Sequence, residues 1–532
     1  MNSDDANRQP MTTQSPTRRP RWTLLLIILA AGLAALIWAL KGGQTSHQQQ
    51  NIEVARAVLL TAAGVVLWAV VLSGWPWRRR LKFLGGMIVL LIAAGSLFTI
   101  RGVSGDLVPI VEFRWKTRST TAVTPSASPA ISTAGSAKPG RLPGDYPQFL
   151  GPNRDGSVAL VRLKRDWKQD APKLLWRQPV GGAWSGFAVV GDRAVTMEQQ
   201  GEDEMTVCYE LFTGQKIWKQ TDRARYGQSG SQNTTIAGEG PRTTPTVVGR
   251  HVYTLGALGQ LNCLDLDSGK RLWSTNIITS NGAGVGDWGV SGSPLVLDGL
   301  VVVNPGGPNR SVVAYDRLTG ESRWAEGNGG ASYSSPVEMK LGGVSQAVIV
   351  SSRAVFGHDA VTGQVLWSFP WPAKYPNVSS PILIGEDRIL VSSGYGMGAG
   401  LFQVKRGDTW SATPLWKSIR LKSKFANLFF RNGFIYGLDD GILVCLDVAT
   451  GELKWKEGRY GHGQMIMCGD VLLVMAESGE VVLVEPNPSG LKELTRFTAL
   501  TDKTWNPAAL AGDILLVRND KEAACFRLPL AK

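Results

Sequence analysis

A ten-residue motif recurs five times in the last two thirds of the chain, and it constrains the fold more than any other feature. Each copy runs from an apolar stretch through Thr-Gly or Ser-Gly to a tryptophan. The copies are YELFTGQKIW (209–218), LDLDSGKRLW (264–273), YDRLTGESRW (315–324), HDAVTGQVLW (358–367) and LDVATGELKW (446–455). Glycine suits the positive φ that a tight hairpin turn demands. Each copy therefore predicts two antiparallel strands joined at Gly214, Gly269, Gly320, Gly363 or Gly451.

Weaker copies fill the gaps between these five. KLLWRQ places Trp176 in the tryptophan position, TPLWKS places Trp416 there, and LKELTRFTAL (491–500) has Thr495 or Arg496 near it. Successive marks lie about 40 to 55 residues apart, which is the length of a four-stranded propeller blade. Eight marks are counted in this way.

The two ends of the repeat region complement each other. The region begins with KLLWRQ, which resembles the strand after each turn, and ends with EAACFRLPL, which resembles the strand before it. Pairing these two segments would complete one blade and remove the free sheet edges. We therefore predict an all-β, eight-bladed propeller over residues 145–532; a solenoid of β-hairpins is the alternative.

The repeat also accounts for most tryptophans and cysteines. Cys208, Cys263 and Cys445 each lie six residues before a turn glycine, which predicts buried packing positions. Five scattered cysteines without a CxxC pair indicate neither a disulfide framework nor a zinc site. The motif tryptophans are predicted to be structural, packing between neighbouring blades. They are Trp176, Trp218, Trp273, Trp324, Trp367, Trp416 and Trp455.

Three apolar stretches precede the repeats, over Thr23–Leu40, Ala57–Trp75 and Phe83–Ile100. Each is close to the ~20 residues that a helix needs to cross a bilayer. A cleaved signal peptide is the alternative for the first, but no small-x-small cleavage site follows it. We predict a cytoplasmic tail over 1–21, three transmembrane helices over 22–101, an extracytoplasmic Ser/Thr/Pro-rich linker over 102–144, and the propeller.

Basic residues predict the orientation of these spans. Arg18, Arg19 and Arg21 precede the first, and the cluster 78–82 lies between the second and third. Short basic loops stay on the cytoplasmic side, so three crossings place the propeller outside, on the periplasmic side of a bacterial inner membrane. Residues 1–145 carry a net charge of +10 and the rest only +3. The nearly balanced propeller argues against a nucleic-acid partner.

The segments that lead into the first strand of each blade predict where a ligand would bind, because these segments should lie toward the central axis. They supply an aromatic and amide-rich set that suits a planar or carbohydrate-like ligand. Plugging of a narrow channel is the alternative role for these side chains. The predicted set is Trp184, Arg242, Trp288, Tyr333, Asn377, Asn427, His462, Trp505 and Asn506.

The repeats resemble those of the quinoprotein (PQQ-like) eight-bladed propellers over about residues 146–530. That family includes pyrroloquinoline-quinone dehydrogenases and a non-catalytic outer-membrane assembly factor. The segment YPQFLGPNRDG (146–156) is similar to the start of a bacterial, membrane-anchored subgroup. The resemblance implies the fold, whereas activity must be argued from a site.

The resemblance also implies what a catalytic member would need: Ca²⁺ held by Glu and Asn, and an Asp as base. The segment NPGGPNRS (304–311) lies roughly where the family supplies Asn and the base, but it has no Asp. Glu239, Asp287 and Asn377 are conceivable replacements, and each is better read as a loop residue. No metal ligands or catalytic residues are therefore assigned, and the cofactor stays undetermined.

Two functions follow from these observations. The first is a membrane-anchored binding or protein-interaction propeller that is not an enzyme, with a protein or small-molecule partner outside the membrane. The second is a membrane-bound, PQQ- and Ca²⁺-dependent dehydrogenase that oxidises an alcohol or sugar. A structural or sensory role is a third, unspecified option.

Overall fold

The computed structural model describes residues 22–42, 46–115, 144–227, 238–371 and 376–531, and the chain divides into two units, 1–127 and 128–532. The predicted tail over 1–21, with Arg18, Arg19 and Arg21, lies outside the described residues. So does the Ser/Thr/Pro-rich stretch over 119–143.

Three apolar helices form the first unit. They are α1 (Trp22–Lys41), α2 (His47–Leu67, continued by a π-helical turn over Trp68–Leu72) and α3 (Trp77–Leu97). All three are long and apolar enough to cross a membrane. Helices α1 and α2 approach closely at Gly32, where a Cβ atom would lie 2.2 Å from the Thr61 hydroxyl oxygen. Small residues permit such close packing of membrane helices.

A two-stranded hairpin follows α3 directly, formed by β1 (Phe98–Val103) and β2 (Pro109–Phe113). The sequence predicts a third span over Phe83–Ile100 and a linker from residue 102. It does not predict this hairpin. The helix instead begins six residues earlier, at Trp77, and ends at Leu97. Phe98 and Ile100 continue the apolar run of α3 in composition, so hydropathy alone extends the span past the true helix end.

The described part of the second unit contains eight sheets, here called blades 1 to 8, each with four antiparallel strands, and blade 7 has a fifth strand. Blade 1 contains β5 (Ala188–Val190), β6 (Arg193–Gln200), β7 (Asp203–Glu210) and β8 (Lys216–Asp222). Blade 2 contains β9 (Thr246–Val248), β10 (His251–Leu255), β11 (Gln260–Asp265) and β12 (Arg271–Asn276). Blade 3 contains β13 (Leu295–Leu297), β14 (Leu300–Val303), β15 (Val312–Asp316) and β16 (Ser322–Glu326), after a 3₁₀ turn over Thr279–Asn281.

The next three blades follow the same order along the chain. Blade 4 contains β17 (Val337–Leu341), β18 (Val344–Val350), β19 (Ala354–Asp359) and β20 (Val365–Pro370). Blade 5 contains β21 (Ile382–Ile384), β22 (Arg388–Ser393), β23 (Gly398–Arg406) and β24 (Trp410–Ser418). Blade 6 contains β25 (Phe429–Arg431), β26 (Phe434–Asp439), β27 (Ile442–Asp447) and β28 (Leu453–Arg459).

The last two blades recruit strands from the start of the unit. Blade 7 contains β29 (Gln464–Cys468), β30 (Val471–Met475), β31 (Glu480–Glu485) and β32 (Lys492–Thr498), with β3 (Ser157–Val158) added in parallel to β29. Blade 8 contains β33 (Ala509–Ala511), β34 (Ile514–Arg518), β35 (Glu522–Arg527) and β4 (Lys173–Pro179). Strands β4 and β35 pair antiparallel, with Trp176 opposite Cys525. The predicted closure of a β-propeller by its two ends is confirmed.

The motif tryptophans form a girdle, defined here as the seven rings on the outermost strands. Five of the seven rings pack on a turn glycine of the next blade: a Cβ atom on Gly269 would lie 2.5 Å from the Trp218 ring, and one on Gly363 equally close to the Trp324 ring. The Trp218 indole N–H also donates to the Leu266 carbonyl at 2.8 Å. The turn at Gly269 requires glycine for two reasons. Its φ is positive, at 69°, and the ring approaches too closely for a side chain.

Blade 7 lacks a motif tryptophan, and the structure shows what replaces it. Thr495 stands opposite Leu483, the place that tryptophan takes in the other blades. Trp167, from the segment before β4, packs edge-on against Phe497 at 5.4 Å, and its backbone N–H donates to the Thr495 hydroxyl at 3.4 Å. All five cysteines are free and buried.

Candidate functional site

A closed belt of hydrogen bonds joins the eight blades around the axis, at the residues just before each first strand. Between blades 1 and 2, the Gly186 N–H donates to the Thr244 hydroxyl, and the Thr244 N–H donates to the Ser293 hydroxyl of blade 3. The Ser293 N–H donates in turn to the Ser335 hydroxyl of blade 4. Ser/Thr-Pro before a first strand is therefore the sequence signal of this belt.

Side-chain amides complete the belt where the Ser/Thr-Pro pattern fails. The Ser380 N–H of blade 5 donates to the Asn427 amide oxygen of blade 6 at 2.8 Å. Gln464 of blade 7 donates to the carbonyls of Phe425 and Trp505, which lead into blades 6 and 8. Asn506 closes the ring by donating to the carbonyls of Ala183 and Ser185 of blade 1.

Three of the predicted ligand residues are thus held by the protein itself. Asn427 and Asn506 belong to the belt and are buried. Asn377, also buried, donates to the Ser351 carbonyl at 2.8 Å and accepts from the Ser393 hydroxyl at 2.6 Å. Buried amides need such partners. The structure places these three side chains where they hold neighbouring segments together.

The structure brings three other predicted residues together, with a fourth ring that the sequence analysis did not select. Trp184 of blade 1 lies 4.9 Å from Trp505 of blade 8, and Trp505 lies 5.1 Å from Phe425 of blade 6. Phe425 lies 5.5 Å from His462 of blade 7. These four rings, here called the aromatic shelf, span four consecutive blades. Ring separations of this size are typical of favourable aromatic pairs.

Two lysines lie over the shelf. The Lys503 ammonium is 4.1 Å from the centre of the Trp505 ring and 5.1 Å from that of Trp184. Lys424 lies over Phe425 at 5.7 Å, and over Tyr395 at 4.9 Å. Burial lowers the pKa of Lys503, and the nearby carboxylates, Asp520 first, oppose that shift. The shelf therefore combines apolar ring surface with a partly desolvated positive charge, a pairing favoured by the electrostatics of aromatic rings.

One carboxylate fixes the shelf from the side of blade 7. Glu477 accepts a hydrogen bond from the Trp505 indole N–H and another from the His462 backbone N–H, both at 2.9 Å. The ring of Trp505 and the backbone of His462 are therefore held by a single acid. The sequence signal for Glu477 is its place in ESGEVVLVE, the turn between the second and third strands of blade 7.

The remaining predicted residues form a second group over blades 2 to 4, here called the arginine cluster. The Arg242 guanidinium lies 4.7 Å from the centre of the Tyr226 ring and donates to the carbonyls of Gly240 and Gly238. Burial lowers the pKa of Arg242 to about 10 and raises that of Tyr333 to about 12. The Tyr226 hydroxyl donates to the carbonyl of Asp287, the residue before Trp288. Tyr226 was missed by the sequence analysis because it precedes its blade by twenty residues.

The opposite end of the axis is crossed by the segment 145–158, here called the lead-in segment. Tyr146 exchanges two backbone hydrogen bonds with Val189 of blade 1, and the Pro147 carbonyl accepts from Val247 of blade 2. Strand β3 then pairs with β29 of blade 7. In a ring of eight, blades 3 and 7 lie opposite each other, so a segment that bonds to both crosses the axis.

Arg154 makes the contact with blade 3. Its guanidinium is buried and donates to the carbonyls of Ser293 and Pro294 at 3.0 Å, and to the Gln148 amide oxygen at 3.2 Å. Burial lowers its pKa to about 9. Oxygen atoms thus accept from both terminal nitrogens of this buried cation, whereas its Nε atom has no partner among the described residues.

The comparisons with known proteins agree with this architecture. The family described as outer membrane protein assembly factor BamB matches residues 203–457. The BamB protein of Burkholderia pseudomallei is 25% identical over 294 residues, covering 44% of this chain and 74% of that protein. The BamB protein of Salmonella typhimurium is 22% identical over 311 residues, covering 51% and 70%. The propeller is of the PQQ-like, BamB-related repeat type.

Solved structures show the same fold for this PQQ-like propeller. Quinohemoprotein alcohol dehydrogenase from Comamonas testosteroni superposes with a TM-score of 0.51 at 14% identity, covering 73% of this chain and 81% of that one. A europium-containing methanol dehydrogenase superposes with a TM-score of 0.54 at 13% identity, covering 72% and 98%. At these identities the likeness concerns the fold alone.

The described residues of this PQQ-like propeller do not fit a PQQ site with bound Ca²⁺. Glu239 is paired with Arg225 at 2.8 Å, and both polar atoms of the Asn377 amide are engaged within the fold. The Asn304 amide donates to the Ser311 carbonyl and accepts from the Ser332 N–H. Calcium needs several oxygen donors converging on one point. Within the described ranges, no group of three or more His, Cys, Asp or Glu side chains is arranged to hold a metal ion.

Proposed function

We propose that this chain is a membrane-anchored interaction propeller that binds a protein partner outside the cytoplasm through the aromatic shelf. The observation that carries the proposal is the division of the predicted ligand residues. The amides of Asn377, Asn427 and Asn506 hold neighbouring segments together, whereas the buried rings of Trp184 and His462 gather with the half-buried rings of Trp505 and Phe425 at one end of the axis. Trp505 keeps part of its surface exposed. Aromatic side chains beside a cation are typical of the residues that contribute most to protein interfaces.

Three further observations support the proposal. The lead-in segment crosses the other end of the axis, so that end offers little room for a ligand. The relatives are assembly factors for outer membrane proteins by their names, and such a role concerns protein partners. The basic cluster 78–82, in the first turns of α3, supports an extracytoplasmic propeller anchored in a bacterial inner membrane.

Site-specific photo-crosslinking tests the proposal in cells that produce the full chain. A photoreactive phenylalanine analogue replaces Trp505 in one variant and Leu272 in the other. Leu272 is an apt control because it is 47% exposed on the outer strand β12, away from the axis. We expect a discrete adduct from position 505, absent from position 272 and reduced when Trp184→Ala is added.

Two outcomes would contradict the proposal. Equal adducts from positions 505 and 272 would show that the shelf is not a preferred surface. Dye reduction by the purified chain that depends on added PQQ and Ca²⁺ would instead establish the dehydrogenase function. Protease accessibility of the propeller in spheroplasts checks the orientation separately.

A further inference from the structure

The hairpin β1–β2 exposes the apolar side chains of one face and partly buries the polar side chains of the other. Facing pairs in an antiparallel hairpin share one side of the ladder, and here the pairs Phe98–Phe113 and Ile100–Val111 share one face. All four of these apolar side chains are exposed, with Ile100 at 67%. Thr99 and Glu112, on the opposite face, are half-buried. A hairpin in water turns its apolar face inward, so this face requires an apolar partner.

The hairpin lies across one end of the helical bundle. Its base continues α3, since the Phe98 N–H donates to the Ala94 carbonyl and the Arg114 N–H donates to the Leu97 carbonyl. Its tip is fixed to the start of α2, where the Asn51 amide donates to the Asp106 carbonyl at 2.9 Å. The strands therefore extend over the helix ends, at the depth where the bundle leaves the hydrocarbon.

The composition of the exposed face matches that depth. Phe113 contacts Phe98 at 5.8 Å and Trp115 at 5.5 Å, both edge-on, and Trp115 is itself 64% exposed. Aromatic rings concentrate at membrane–water interfaces. Apolar side chains of α3, such as Leu91 and Ile92, are as exposed as Ile100.

We propose that the face formed by Phe98, Ile100, Val111 and Phe113, here called the hairpin face, lies in the interfacial layer of the bilayer leaflet at the C-terminal end of α3. Its partner is lipid: the headgroup region and the upper part of the acyl chains. A two-stranded hairpin alone is marginally stable in water, and contact with lipid supplies the missing burial. This inference rests on the membrane anchoring by α1–α3 and is independent of the role of the aromatic shelf.

Single cysteines labelled with an environment-sensitive fluorophore test the proposal in the full chain, reconstituted into nanodiscs of phosphatidylcholine and phosphatidylglycerol. The probe positions are Ile100→Cys and Val111→Cys, and the matched control is Glu112→Cys on the opposite face. The native thiols give little background, because burial raises the pKa of Cys208 and Cys263 to about 12 and that of Cys445 to about 11. We expect blue-shifted emission from positions 100 and 111.

Lipids carrying a doxyl quencher near the headgroup should quench the labels at 100 and 111 severalfold more than the label at 112. Water-like emission at 100 and 111 would overturn the proposal. Blue-shifted emission without doxyl quenching would also overturn it, since it would show a protein partner, such as a second copy of the chain. A label at Leu90→Cys, within α3, reports anchoring: if mid-chain quenchers leave it unquenched, the anchoring itself has failed.

Discussion

The outer girdle and the inner end of the propeller solve the same problem, the joining of neighbouring blades, with different chemistry. At the girdle, five of the seven motif tryptophans pack on a turn glycine of the next blade with nearly the same geometry. At the axis, hydroxyls accept the hydrogen bonds that join blades 1 to 4, whereas side-chain amides make those that join blades 5 to 8 and close the ring to blade 1. Repetition suffices for stability, whereas a binding surface requires that equivalent positions differ.

The largest effect is expected from removing one girdle tryptophan. Trp218→Ala deletes a buried ring that packs on Gly269 and bonds to the Leu266 carbonyl. Deletion of a buried aromatic ring costs about 3–5 kcal/mol, so the midpoint of chemical denaturation should fall markedly. Trp505→Ala, at the partly exposed shelf, should cost only about 1 kcal/mol while impairing partner capture. Equal losses in the two variants would erase the distinction between girdle and axis.

A smaller, pH-dependent effect on the free energy of unfolding is expected from Glu204, at the junction between blades 1 and 2. Burial raises the pKa of Glu204 from 4.5 to about 7, against a hydrogen bond from the Ala257 N–H. Since the folded pKa is the higher one, this group stabilises the fold below pH 4.5, and that stability is lost as the pH rises through 7. Glu204→Gln should therefore raise the free energy of unfolding at pH 8 by on the order of 2 kcal/mol.

The measurement for Glu204 is the denaturation midpoint between pH 4.5 and 8. The wild-type chain should lose stability over this interval relative to the glutamine variant. Glu522→Gln is a control, because that carboxylate is paired with Arg177 at 2.8 Å rather than buried without a direct cation. A wild-type and a glutamine variant with parallel pH profiles would show that Glu204 is already ionised in the fold.

The smallest expected effect compares two girdle positions with each other. The indole N–H of Trp218 has a carbonyl partner, whereas that of Trp324 has none among the described residues. Trp218→Phe should therefore cost about 1 kcal/mol more than Trp324→Phe, the usual net value of one hydrogen bond. Denaturation midpoints of the two variants check this difference, and a larger loss at Trp324 would show that ring shape outweighs the indole bond.

The sequence predicts the girdle well because its information is periodic. A tryptophan nine residues after the start of the motif, and four after a turn glycine, can be recognised without knowing any contact. The prediction fails in blade 7, where the repeat lacks its tryptophan. Thr495 occupies the tryptophan position there, and Trp167, from a distant segment, packs over it. Nothing local to Trp167 distinguishes it from a surface residue.

For the residues near the axis, the sequence predicts only their position relative to the first strand of each blade. Trp184 and Trp505, which precede the first strands of blades 1 and 8, lie 4.9 Å apart. The sequence does not reveal that Asn427 and Asn506 turn toward neighbouring backbone, because that depends on which carbonyls the next blade leaves unpaired. Lys503 and Phe425 became visible as part of the shelf only once the blades were placed beside each other.

The pairing of β4 with β35 has a consequence for folding during synthesis on the ribosome. The two strands are separated by roughly 340 residues, and ribosomes add about 5–20 residues per second. Strand β4 therefore waits for tens of seconds without its partner while the intervening blades emerge. During that time β4 is an unpaired strand to which strands of other chains can bind. The ring is therefore open to misassembly until the synthesis of β35 is complete.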